Sequence, residues 1–149
     1  MKPLFSITRS YKGIYNCIVT PVTITNPINE QSVQTLAIWD TGATGSVVTH
    51  KVATDLGLVP VSKGFVNTAG GLVETNHYYC EITLHGYGKL EVKRKVTECE
   101  KLSSADDVGM LIGMDIITLG DFAITNLNGQ TVMSFRFPPS GRIDFSVRE

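Results

Sequence analysis

The apolar run Leu36-Ala37-Ile38-Trp39 ends on an acidic residue and a glycine turn, Asp40-Thr41-Gly42-Ala43-Thr44. This junction constrains the fold more than any other stretch of the chain. Branched and aromatic residues in so short a run mark a buried strand. Most aspartates lie on solvated loops, but here the strand carries Asp40 to the edge of a core, and Gly42 permits the tight turn that follows. Far downstream, Met110-Leu111-Ile112 is a second short apolar strand, broken by Gly113.

Between and around these two points the pattern is mostly β. Tyr15 to Thr25 reads as one long strand with turn chemistry after it at Asn26-Pro27-Ile28-Asn29. Val33 to Trp39 is the next strand. Val47 and Val48 resume an extended segment, and Thr49 caps a short helix that buries Val52 and Leu56 and stops at Gly57. Gly64 to Thr75 reads as a mobile hairpin with Ala69-Gly70-Gly71 at its tip. Tyr78 to Leu84 and Lys89 to Val96 are two further strands about the turn His85 to Gly88, and of Tyr78 and Tyr79 one ring is expected inside and one outside. The charges from Glu91 to Lys101 alternate in sign and suit a solvated strand face and loop. Met114 to Leu119 makes one or two helical turns closed by Gly120, with Asp115 near the helix start, where a carboxylate is favoured. Phe122 to Thr125 and Val132 to Phe137 flank an Asn-Gly hairpin signal, and Ile143 to Val147 is expected to be a last strand.

In this order of elements the chain resembles the retropepsin-like aspartic proteases. The residues that carry the resemblance are Asp40-Thr41-Gly42-Ala43 after an apolar strand, Leu111-Ile112-Gly113 opening a short helix, and the glycine hairpin between them. The resemblance implies a mainly β fold: a closed acid-protease barrel with two short helices, a glycine-rich hairpin flap and, in this chain, an extra C-terminal strand pair. All 149 residues are expected to form one domain. The implied activity is that of an aspartic endopeptidase. Asp40 would be the catalytic carboxylate and water the nucleophile. Thr41 would brace the opposite copy of the motif, Gly42 would donate its N–H to the carboxylate, and Ala43 would lie beside the pair. Asn67, Thr68, Ala69, Gly70 and Gly71 would form the flap over an extended peptide, while Leu111, Ile112 and Gly113 would support the catalytic loop.

Amide hydrolysis by carboxylates needs one ionised group to take a proton from water and one protonated group to polarise the amide. One aspartate cannot fill both roles. Asp55, Asp106, Asp107, Asp115, Asp121 and Asp144 all lack the Asp-Thr-Gly context, so the second carboxylate is expected from an identical chain across a twofold axis. The expected partners are a second copy and a peptide or protein substrate. Two departures from the family stand out. Trp39 occupies a place usually held by a smaller aliphatic residue, and the segment from Phe122 to Glu149 is longer than the terminal strand of retroviral members. The extra strand pair is expected either to join the dimer interface or to cover a sheet edge.

Composition narrows the alternatives. A net charge of −1 with 18% charged and 42% apolar residues gives neither a basic field nor an acidic tail, so no nucleic-acid partner is expected. No stretch approaches the roughly 18 apolar residues of a membrane span, and Met1 to Ser10 lacks the apolar core of an export signal. Cys17, Cys80 and Cys99 are odd in number and widely spaced, which suits buried thiols in a reducing cytoplasm. His77 and Cys80 are three apart on a strand and point to opposite faces, so no metal site and no cofactor are expected. Gly42 to Gly45 lacks the lysine and long helix of a phosphate loop. The rival expectation is a catalytically silent dimer of the same fold that holds extended peptides in its cleft.

Overall fold

The computed structural model describes residues 2–146. Ten strands and two short helices follow one another as β1 (Phe5–Ser10), β2 (Val19–Thr25), β3 (Ser32–Trp39), β4 (Val47–Thr49), α1 (His50–Asp55), β5 (Ser62–Thr68), β6 (Gly71–Gly86), β7 (Gly88–Cys99), β8 (Val108–Ile112), α2 (Met114–Ile117), β9 (Asp121–Thr125) and β10 (Val132–Phe137). Strands β2-β3-β8-β4-β7-β6 pair in that order, and β2 pairs back onto β6, so six strands close into a barrel. Closure removes the edges of these strands and gives every core-facing position a neighbour. Val22, Ile24, Val48, Ile82, Met110 and Ile112 are all fully buried inside it.

The alternation that closes the barrel is visible in β2, where Thr20, Val22 and Ile24 are buried and Pro21 is exposed. Strand β3 runs parallel to β8, with Trp39 opposite Ile112. That register brings the end of the Asp40 strand beside the Leu111-Ile112-Gly113 segment. The Thr49 hydroxyl caps α1 by accepting the Val52 N–H at 3.3 Å, Val52 and Leu56 are buried on one face, and Gly57 leaves the helix with φ +62°. Tyr78 is buried and Tyr79 exposed, as alternation requires.

Outside the barrel, β1, β10 and β9 form a three-stranded antiparallel sheet with β10 in the middle. The extra C-terminal strand pair is therefore real, and it takes the N-terminal strand as its third member. Phe5 and Ile7 of β1 alternate with Ser6 and Thr8, a period-two signal too short to stand out in the sequence. The sheet is fixed to the barrel in two ways. Ser6 and Tyr87 exchange backbone hydrogen bonds at 3.1 and 2.7 Å, an approach that the bare backbones of Gly86 and Gly88 permit, since a Cβ on Gly86 would meet the Ser6 carbonyl and one on Gly88 the Leu4 carbonyl just before β1. The Trp39 ring stacks on Phe122 of β9 with centroids 5.3 Å apart, and packs against Phe135 of β10 at 5.2 Å.

Three expected elements differ. Strand β2 begins at Val19, because the chain from Tyr11 to Tyr15 wraps Thr131 instead of extending: Thr131 receives the Tyr15 N–H on its hydroxyl and the Tyr11 N–H on its carbonyl. The hairpin strand and the strand through Tyr78 are one continuous β6, and its turn into β7 reduces to Tyr87. Ile143 to Ser146 form no strand, and Val147 lies outside the described residues. Instead the chain loops back at Ser140 and Gly141, whose N–H groups donate to Asp121 Oδ2 at 2.8 and 3.3 Å. Of the cysteines, Cys80 is buried, Cys99 partly so, and Cys17 is exposed rather than buried.

Trp39 also donates its indole N–H to the buried Thr20 hydroxyl at 2.8 Å. Trp39→Ala is therefore expected to cost about 3–5 kcal/mol, from the cavity between the two sheets and the stranded hydroxyl. Urea unfolding followed by circular dichroism measures this, and a loss below about 1 kcal/mol would show that the small sheet does not lean on this ring.

Candidate active site

Strand β3 ends at Trp39, whose N–H donates to Ile18, and Asp40 leaves the strand half-buried with its own N–H donating to the Ile112 carbonyl at 2.9 Å. The loop then folds on itself. The Gly42 N–H donates to Asp40 Oδ1 at 2.8 Å, and the Ala43 N–H donates to the Asp40 carbonyl at 3.2 Å. One oxygen of the carboxylate is thus aimed by the turn that the glycine makes. Thr41 and Gly42 are exposed beside it, and Ala43 is half-buried.

The second segment locks this loop from beneath. Met114 N–H donates to the Ala43 carbonyl at 2.8 Å and Asp115 N–H to the Thr44 carbonyl at 3.2 Å. A Cβ on Gly113 would lie 2.7 Å from the Gly45 carbonyl and 2.9 Å from the Ala43 oxygen. Those are backbone atoms that cannot swing aside, so no side chain fits at Gly113 without moving the loop. Leu111 and Ile112 sit on β8 beneath the loop, Ile112 fully buried and Leu111 partly.

Ser46 was not legible as part of this brace. It is 1% exposed; its hydroxyl donates to Asp115 Oδ1 at 2.7 Å and accepts the Gly113 N–H at 3.1 Å. A hydroxyl residue directly before the apolar pair Val47-Val48 was the available signal, since a buried serine must find partners. Asp115 lies in the first turn of α2, where the sequence placed it, but its carboxylate takes the Ser46 hydroxyl rather than capping α2. The Asp115 carbonyl in turn accepts from Arg94 Nε and Nη2 at 3.4 and 3.3 Å.

Asn67, Thr68, Ala69, Gly70 and Gly71 form the end of the β5–β6 hairpin, all exposed. Thr68 pairs with Gly71 around the two-residue turn Ala69-Gly70, and the Thr68 hydroxyl donates to the Gly71 carbonyl at 2.9 Å. Among the described residues, no hydrogen bond joins these five to Asp40. Phe65 and Leu72 are 70% and 72% exposed on the hairpin, apolar surface that no barrel residue covers.

The hairpin base is tied down through Glu98. Its carboxylate accepts from His50 Nδ1 at 2.8 Å, the Tyr78 hydroxyl at 3.0 Å and Asn76 Nδ2 at 3.1 Å, and its carbonyl accepts the Thr75 hydroxyl at 2.8 Å. Beside this cluster, Val66, Thr68 and Val73 of the hairpin line a cleft of about 350 Å³ with Cys99 and Glu100. A separate cleft of about 380 Å³ lies at the opposite end of β3, between Val33, Leu36, Val52 and Asp107, away from the Asp40 turn.

Residues 24–118 match the family described as gag-polyprotein putative aspartyl protease, and the chain belongs to that family. No curated protein matches it. Among solved structures it is similar to EIAV protease complexed with the inhibitor HBY-793, at 23% identity over 70% of this chain and 91% of that one, with a TM-score of 0.45. It is similar to a retropepsin-like aspartic protease from Rickettsia conorii, at 16% identity over 84% of this chain and 97% of that one, with a TM-score of 0.42. It is also similar to the retroviral protease-like domain of Ddi1 from Leishmania major, at 18% identity over 74% and 82%, with a TM-score of 0.49.

Two measurements check the site's framework. Ser46→Ala leaves both the Gly113 N–H and an Asp115 oxygen short of a partner, and is expected to cost roughly 1–3 kcal/mol in urea unfolding, most of it shared with Asp115→Ala in a double-mutant cycle. The hydrogen bond and charge of Glu98 raise the His50 pKa above its ordinary 6.5. Because the folded value is the higher one, the pair's stabilisation is complete below pH 6.5 and is lost as pH rises through the folded-state value. An NMR titration of the His50 ring should show the raised value in the native protein and its return toward 6.5 in Glu98→Gln.

Proposed function

We propose that this chain is an aspartic endopeptidase that works as a homodimer, each copy contributing its Asp40 to one shared site. The observation that carries the reading is the Asp40 turn itself: a half-buried carboxylate aimed by the Gly42 N–H, on a loop held from below by Met114, Asp115 and Gly113. Rigid placement of this kind is what proton transfer to and from a bound substrate requires. Membership of an aspartyl protease family supports it further.

In the dimer two carboxylates face each other, and their mutual repulsion keeps one proton on the pair. The ionised Asp40 removes a proton from a water held between them, and the resulting hydroxide attacks the scissile carbonyl carbon. The protonated Asp40 donates to the carbonyl oxygen as the tetrahedral intermediate forms. On collapse the carbon–nitrogen bond breaks, the amine takes its proton from the carboxyl that received the water proton, and a hydroxyl of the tetrahedral intermediate returns its proton to the other carboxylate as the carbonyl re-forms, so the pair regains its starting charge. No covalent bond to the protein is made. Thr41, exposed next to Asp40, would reach the partner's loop and keep the two carboxylates coplanar.

The hairpin from Asn67 to Gly71 would close over an extended peptide, whose backbone pairs in strand fashion and whose apolar side chains meet the surface that Phe65 and Leu72 leave open. Free thiols at Cys17, Cys80 and Cys99 suit a reducing compartment such as the cytoplasm. Among the described residues no helix is long and apolar enough to cross a membrane.

Asp40→Asn is expected to reduce cleavage of a mixed pool of unstructured peptides by roughly 10²–10⁴-fold, while sedimentation velocity still finds dimers. Chelators should leave the wild-type rate unchanged. Cleavage that survives Asp40→Asn, or an active monomer, would overturn the mechanism. Dimers that hold peptides without cutting them would identify a binding module instead.

A further inference from the structure

Resting on the reading in which the β5–β6 hairpin closes over a peptide, we propose that Glu98 is a positioning residue for that hairpin. Its carboxylate clasps the hairpin root to α1, tightly while the His50 ring is charged and loosely once the ring loses its proton.

The clasp sits where the hairpin leaves the barrel. Strand β6 pairs with β7 from His77 onward, opposite Thr97, whereas from Gly71 to Asn76 its ladder is with β5 alone. Glu98 is the next residue of β7 and spans this junction. Its Oε2 accepts from Asn76 Nδ2 at 3.1 Å and its Oε1 from the Tyr78 hydroxyl at 3.0 Å, while its carbonyl takes the Thr75 hydroxyl at 2.8 Å. Those three donors all belong to β6. The fourth, His50 Nδ1 at 2.8 Å from Oε1, comes from the first residue of α1. The other ring nitrogen, Nε2, meets the Thr54 hydroxyl at a long 3.4 Å, so Glu98 sets where the ring lies.

The hairpin has room to tilt when the clasp loosens. Val66 and Val73 face each other across it, both exposed, and line the cleft of about 350 Å³ whose other wall is His50, Glu98, Cys99 and Glu100. Beyond the root, among the described residues, no hydrogen bond or ion pair joins residues 64–74 to the barrel. The bonds around Glu98 therefore carry the hairpin's orientation.

Charge decides how firmly they hold. A neutral imidazole offers Glu98 one ordinary hydrogen bond, and then only with its proton on Nδ1, whereas the imidazolium donates from both nitrogens and adds ionic attraction. The neighbouring groups leave this titration to His50. On β7, Glu100 is a second negative charge near the ring, and Cys99 keeps its proton because burial pushes its pKa up to about 11. On β6, burial and the Glu98 bond raise the Tyr78 phenol, and Glu74 is paired with Lys63 of β5 at 3.2 Å. On α1, Lys51 is paired with Asp55 at 2.6 Å, and Lys101 and Asp106 share the hollow beside them. His77 is the second imidazole at the root, but its Nδ1 bonds the Ser62 hydroxyl at 3.0 Å rather than Glu98.

Methyl relaxation dispersion of Val66, Leu72 and Val73 reads the population of the released hairpin directly. In the wild type this population is expected to rise roughly two- to fivefold between about pH 5.5 and about pH 8.5, the range that an exposed ion pair supports. His50→Gln should abolish the step, and so should Glu98→Gln, with the hairpin at least as released as in the wild type at high pH. His77→Gln should keep it. The methyls of Ile24 and Ile82 inside the barrel should stay unmoved throughout, which separates release from unfolding. His50 is exposed, so its variant decides the matter should Glu98→Gln fail to fold. A flat wild-type profile, or a step that survives in His50→Gln, overturns the proposal. A step in hairpin motion without peptide cleavage at any pH would keep the clasp and reject the peptidase; cleavage without the step would do the reverse.

Discussion

The shape of the Asp40 turn depends on two stretches of bare backbone lying against each other: Gly113 under the carbonyls of Ala43 and Gly45. Because Gly113 carries no side chain, the N–H groups at the start of α2 reach the loop carbonyls directly, and the Asp40 turn is fixed by main-chain bonds rather than by flexible side chains. Parallel pairing of β3 and β8 supplies the register for this contact, and barrel closure supplies the rigidity. The buried Ser46 hydroxyl then joins loop and helix from the inside.

The small sheet solves a different problem. A mainly β chain of this size has strands left over once the barrel is closed, and an unpaired N-terminal strand would present open hydrogen-bonding groups. Strand β10 pairs with it from the far end of the sequence and, through Phe135, presses on the same tryptophan that precedes the Asp40 turn. A large aromatic ring at position 39 and a longer C-terminal segment are thus two halves of one packing solution. A smaller residue at 39 would leave Phe122 and Phe135 without a surface to cover.

Much of this was legible in the chain, and the reasons are physical. The Asp40 turn, the Leu111-Ile112-Gly113 strand, the Thr49 cap and the two hairpins all announce themselves locally, through branched residues, glycines and capping hydroxyls. What stayed hidden depends on contacts distant in sequence. Nothing near Tyr15 reveals that Thr131 will draw its N–H away from a strand, and nothing near Ser46 reveals Asp115 as its partner. Strand β1 is short and only half apolar, so it acquires its identity from β10. The expected last strand from Ile143 carried the right residue types, yet the described part has no strand partner and is held by its turn to Asp121 instead.

Trp39 is the only tryptophan in the chain. It sits in contact with the small sheet on one side and is covalently adjacent to Asp40 on the other. Its indole is held at 2.8 Å by a buried hydroxyl, away from water. The intrinsic emission of the unlabelled protein is thus an optical readout of a single place, the junction between the small sheet and the Asp40 loop. Loosening of that junction can be followed by light alone, with no probe introduced near Asp40.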